Sequence, residues 1–97
     1  MAAYVIGDVN VENEEGYREY AAQTPGSIAK FGGEFIVRGG NPGELEGGWA
    51  PSRIVVIRFP DREAAQAWYD SDEYQALKTL RQQNAKGSLI IVDGHDG

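Results

Sequence analysis

Residues 53–59 read Arg53-Ile54-Val55-Val56-Ile57-Arg58-Phe59, and this stretch decides the fold. Ile54 to Ile57 are all β-branched, so the strand they predict is apolar on both faces. Pro60-Asp61 stops the strand and starts a helix that runs through Tyr69. Ser71 is placed to cap a further helix, Asp72 to Asn84, with Tyr74, Leu77 and Leu80 on one stripe. The last strand, Ser88 to Val92, is again apolar on both sides, and Gly94 to Gly97 read as a frayed tail.

Working back towards the start, the stretch from Gly39 to Ser52 is glycine-rich and irregular. A short strand through Glu44-Leu45-Glu46 competes there with a hairpin-like excursion, which the glycines favour. Glu34 to Arg38 form a strand, and Gly32-Gly33 ends the helix before it. In that helix Tyr17, Tyr20, Ala21, Ile28 and Phe31 fall near helical spacing, with Asn13 as N-cap and Glu14 and Glu15 in the first turn. Pro25-Gly26 predicts a kink or a restart. Tyr4 to Val11 form the first strand, partly apolar on each face.

The order is β-α-β-β-α-β. It predicts an α+β ferredoxin-like sandwich, an antiparallel four-stranded sheet with helices on one face. Residues 1–97 form a single domain with an ordered core of about 3–93. Helices cover one face of such a sheet, yet strands 54–57 and 89–92 are apolar on both. A second copy of the same sheet supplies the missing cover, so a homodimer through the open sheet face is expected.

Charge narrows the partners. Fifteen acidic residues face nine basic ones among 97, a net charge of −6. Nucleic acid and anionic membrane surfaces are disfavoured partners for such a chain. No apolar run approaches a membrane span, and Met1 to Asp8 lack the pattern of a signal peptide, which points to a cytoplasmic protein. With no cysteine there is no disulfide, thiol nucleophile or thiolate metal site. His95, the one histidine, falls in the tail, which disfavours a histidine dyad and an axial haem ligand. No metal and no cofactor are expected.

Two groups of residues point to a small-molecule site. Arg38 ends one strand and Arg53 begins the next, so an antiparallel pairing brings them close. Two guanidinium groups need an anion between them or a carboxylate beside them. Glu46 is the internal candidate, a ligand carboxylate or phosphate the external one, and Trp49 an apolar wall. The competing role is structural, the same residues pinning the loop to the sheet or meeting a partner chain. The second group is Trp68, Tyr69, Ser71 and Tyr74, at the break between two helical segments. Its aromatics suit a cavity lining and equally a small core, and Ser71 suits a helix cap. Tyr17 and Tyr20 share a helix face and read as half-buried core. Arg81 reads as paired with an acidic neighbour on a solvated face.

An ordered set of residues also resembles a known family. Tyr4-Val5-Ile6 with Val9 and Val11, Phe31-Gly32-Gly33, Val37-Arg38-Gly39-Gly40, Leu45-Glu46-Gly47, Trp49, Pro51, Phe59-Pro60, Ala67-Trp68-Tyr69 and Glu73-Tyr74-Gln75 are similar to domain-of-unknown-function family 1330. The resemblance spans about residues 3 to 94. It implies a dimeric α/β barrel, in which two ferredoxin-like sheets face each other. The family has no established activity. Its superfamily includes cofactor-free monooxygenases, lactone isomerases, stress-responsive domains and haem enzymes, and fold alone does not choose among them. The expected function is binding of a small anionic or aromatic molecule near the sheet–helix cavity. The alternatives are a non-catalytic interaction or stress-responsive dimer, and a cofactor-free monooxygenase or isomerase.

Overall fold

The computed structural model describes residues 1–95. Its elements run β1 (Ala3–Val11), α1 (Glu14–Ala29), β2 (Glu34–Gly39), β3 (Ile54–Phe59), α2 (Arg62–Asp70), α3 (Asp72–Asn84) and β4 (Ala85–Asp93). The sheet order is β2-β3-β1-β4, antiparallel at every pairing. This is the α+β ferredoxin-like arrangement, with three helices on one face of four strands.

The two-residue period of the strands sorts the faces. Val5, Val9, Val55, Ile57 and Phe59 turn to the helices and are buried. Ile6, Ile54, Val56 and Val92 share the opposite parity and are only half-buried, while Ile90 beside them is exposed. Both faces of β3 and β4 are apolar, as the run Ile54 to Ile57 implies.

Trp68 is the centre of the core, with no exposed surface. Its ring lies 4.0 Å from that of Tyr74 and 5.5 Å from that of Phe59, centroid to centroid. Its indole N–H donates to the Ser27 hydroxyl at 3.0 Å, so the polar edge is satisfied inside the core.

The caps follow the sequence. Asn13 accepts from the Gly16 amide, Asp61 from Ala64, and Ser71 from Tyr74. After α1 the amides of Gly32 and Gly33 donate to the carbonyls of Ala29 and Ile28, with Gly32 at φ +77°. That double bond closes the helix and requires the left-handed backbone glycine tolerates.

Three local expectations are corrected. α1 does not restart at Pro25, which lies inside one continuous helix. Pro25 has no N–H for the Ala21 carbonyl, and the Arg38 guanidinium donates to that carbonyl instead. As the glycines favour, 44–46 forms no strand, and residues 40–53 make no ladder with the sheet. β4 begins at Ala85, three residues before the expected start, since the β1 ladder extends to Val11. The tail starts later than expected, because the Gly94 amide donates to the Ala2 carbonyl at 2.7 Å. The rest of the expected tail, 96–97, lies outside the described residues.

Candidate functional site

A cavity lies between α1, α3 and the helix-facing side of the sheet. Tyr17, Tyr20, Ala21 and Thr24 supply the α1 wall, at the spacing of one helix face. Val9, Val55, Ile57 and Leu89 supply the floor, with Trp68 and Phe35 closing the sides. Three arginines reach it from three elements: Arg38 from β2, Arg53 from the start of β3 and Arg81 from α3. No carboxylate lines it among the described residues.

A register shift brings Arg38 there. Phe35 pairs with Ile57, but Val37 pairs with Val56, so Ile36 is an extra residue in the ladder. The bulge reverses the parity of β2 beyond it. Val37 therefore faces the open side, while Arg38, opposite Val55, faces the helices. There its guanidinium carbon lies 4.7 Å from the Phe35 ring centroid. Arg53 is half-buried over the Tyr17 ring, and its Nε donates to the Tyr17 hydroxyl at 3.3 Å.

Arg81 completes a buried polar chain. Its Nη1 donates to the Tyr74 hydroxyl at 3.0 Å, and that hydroxyl is 2.8 Å from the Tyr20 hydroxyl. Burial pushes the pKa of both phenols above the ordinary value, the Tyr74 phenol furthest, despite the nearby Arg81 charge. Both are neutral phenols at physiological pH, acting as hydrogen-bonding groups rather than bases. Each arginine thus holds one protein acceptor and keeps further N–H donors, out of five per guanidinium, for another acceptor. None of the three belongs to an ion pair among the described residues.

The structure gathers part of the expected set. Arg38, Arg53 and Trp68 share this cavity. Tyr74 backs it through its hydrogen bond to Tyr20. Tyr69 lies beyond it, its ring 5.5 Å from that of Tyr74. Ser71 caps α3 and donates to the Trp68 carbonyl. Glu46 sits exposed in the connection before β3 and makes no ion pair among the described residues. Trp49 is 63% exposed, and its indole N–H donates to Asp8, which has open-face parity. Neither lines the arginine cavity.

Arg81, Tyr17 and Tyr20 are the residues that sequence reasoning set aside. Arg81 has no acidic neighbour within ion-pair distance among the described residues, and a buried phenol takes that place. The signal was its position seven residues after Tyr74, two helical turns along the same face. Outside the cavity lies a cleft of about 220 Å³ that shares Tyr17, Ala21 and Arg53 with it and adds Glu14 and Arg18.

Fold and cavity together define a ferredoxin-like α+β protein with a small cationic pocket between helices and sheet. Residues 2–95 match the family Domain of unknown function (DUF1330), and the chain belongs to it. No curated protein matches it. Among solved structures it is similar to a protein of unknown function from Rhodopseudomonas palustris. That match has 15% identity and a TM-score of 0.78 over 99% of this chain and 84% of that one. It is also similar to SnoaB, a cofactor-independent oxygenase from Streptomyces nogalater, at 11% identity and TM-score 0.66 over 99% and 95% of the two chains. HapK from Hahella chejuensis shares 10% identity with TM-score 0.60 over 98% and 94%. At such identities the likeness is one of fold.

Proposed function

We propose that this protein binds a small organic anion, its charged group held among Arg38, Arg53 and Arg81. One observation carries the reading. Three guanidinium groups, none with a carboxylate partner among the described residues, converge on one cavity in a chain whose net charge is −6. Like charges gathered at one site repel each other, and an anion relieves that cost. Arginine suits carboxylate or phosphate because its planar fork offers parallel donors. The apolar crevice next to Arg81, with Leu89 and Ile91 on its floor, favours an organic anion, with an apolar or aromatic body outside the cavity, over a bare inorganic one. Among the described residues the cavity lining holds three arginines and no carboxylate or histidine, which supports a reading of binding. The working unit is a homodimer through the open sheet face, and its acidic surface and lack of cysteine fit a cytoplasmic setting.

Calorimetric titration with benzoate, and with benzamide as its neutral counterpart, tests the pocket. Benzoate is expected to bind and benzamide not. The Arg38→Ala, Arg53→Ala double variant should lose benzoate binding while staying folded by circular dichroism. Equal binding of benzoate by wild type and double variant removes the proposed site.

A further inference from the structure

The arginine cavity itself is only about 20 Å³, room for one or two water-sized groups. That accommodates a head group and nothing larger. The larger space lies on the far side of Arg81. A crevice of about 320 Å³ runs between α2 and the edge strand β4. Leu89 and Ile91 form its floor, Ala65 and Tyr69 its α2 wall, and Gln66 stands at its rim. Arg81 and Leu89 line both spaces, so a guanidinium stands at the junction of a head-group cavity and an apolar channel.

Resting on the anion reading above, we infer that the ligand is an amphipathic acid. Its carboxylate meets Arg81 at the junction, and its unbranched apolar chain lies in the α2–β4 crevice. The argument is one of matching parts. Arg81 spends Nη1 on Tyr74 and keeps its remaining donors for a carboxylate. The crevice offers hydrocarbon from the sheet and an aromatic ring, with Gln66 as the exposed amide at the rim. A compact acid leaves that apolar surface wet, whereas a chain of several methylenes covers it.

The test is titration with the straight-chain series butanoate, hexanoate and octanoate, with octanamide as the uncharged control. Each added methylene is expected to tighten binding, octanoate exceeding butanoate by about tenfold or more. Octanamide should bind far more weakly than octanoate. Gln66→Trp, an exposed position chosen to obstruct the crevice without disturbing the core, should abolish the chain-length gain and spare butanoate. Tyr69→Ala is the second probe and should reduce the gain by removing the aromatic wall. Arg81→Gln should weaken every acid in the series alike. The inference falls if affinity is independent of chain length. It also falls if the gain survives both Gln66→Trp and Tyr69→Ala, which places the chain elsewhere, such as on the open sheet face. Either result alongside arginine-dependent benzoate binding leaves the anion reading standing. Failure of benzoate and of the whole series removes both.

Discussion

Tyr20, Tyr74 and Arg81 show how much a small core rests on single polar atoms. A buried hydroxyl without a partner costs about 1–3 kcal/mol, and here the two phenols and one guanidinium satisfy each other. Burial raises both phenol pKa values, so the folded protein holds these two protons where an unfolded chain releases them near pH ~10. The resulting stabilisation is complete below that value and is lost as pH rises above it. Absorbance titration of tyrosinate should therefore show two phenols that ionise at higher pH in native protein than in the unfolded chain. Urea midpoints should fall as pH rises above ~10. In Tyr74→Phe one of the two late-ionising phenols disappears. Ordinary titration of every tyrosine in native protein would contradict the buried chain.

Elements in this protein are positioned by their irregularities. Pro25 strips α1 of one internal hydrogen bond, and the freed Ala21 carbonyl becomes an anchor for Arg38. The bulge at Ile36 turns Arg38 towards that anchor. A helix defect and a strand defect, on different elements, thus fix one side chain. Proline in a helix interior costs about 3 kcal/mol relative to alanine, part of which is offset by its effect on the unfolded chain. Pro25→Ala is expected to stabilise the protein by about 1–2 kcal/mol in urea denaturation, since the restored amide reclaims the carbonyl. Arg38 then loses its acceptor. In a double-mutant cycle Arg38→Ala should cost less stability in the Pro25→Ala background than in wild type. Equal costs in the two backgrounds would show that the Arg38–Ala21 bond carries no stability.

The whole molecule has one covered sheet face and one uncovered. Ile6, Ile54, Val56, Ile90 and Val92 bring hydrocarbon to the open side across three adjacent strands. Contiguous apolar surface of this kind supports the proposed homodimer, since a self-complementary sheet face suits a two-fold pair. Native mass spectrometry should show twice the 10.6 kDa chain mass. Val56→Lys, which sets a charge at the centre of the face, should give monomer with native-like circular dichroism. A wild-type monomer across micromolar concentrations ends the homodimer proposal.

The strand run 54–57 and the helix starts capped by Asn13 and Ser71 were legible because each rests on local chemistry. Period, propensity and a capping side chain act within a few residues. The order of elements, and with it the fold, follows from those local signals. The closeness of Arg38 and Arg53 was legible too, since a hairpin must bring its strand ends together. The placement of Trp49 and Glu46 was not, because glycines at positive φ route the connection independently of its neighbours in sequence. Nor was the role of Arg81, since its partner Tyr74 is buried and joined to Tyr20 only by packing α3 against α1. The face on which Arg38 lies depends on one extra residue in a ladder, a feature of pairing between strands. Local sequence thus determined the elements and their order. Tertiary structure decided which side chains meet, because register, burial and the meeting of Arg38 with the freed carbonyl exist only once distant segments are packed together.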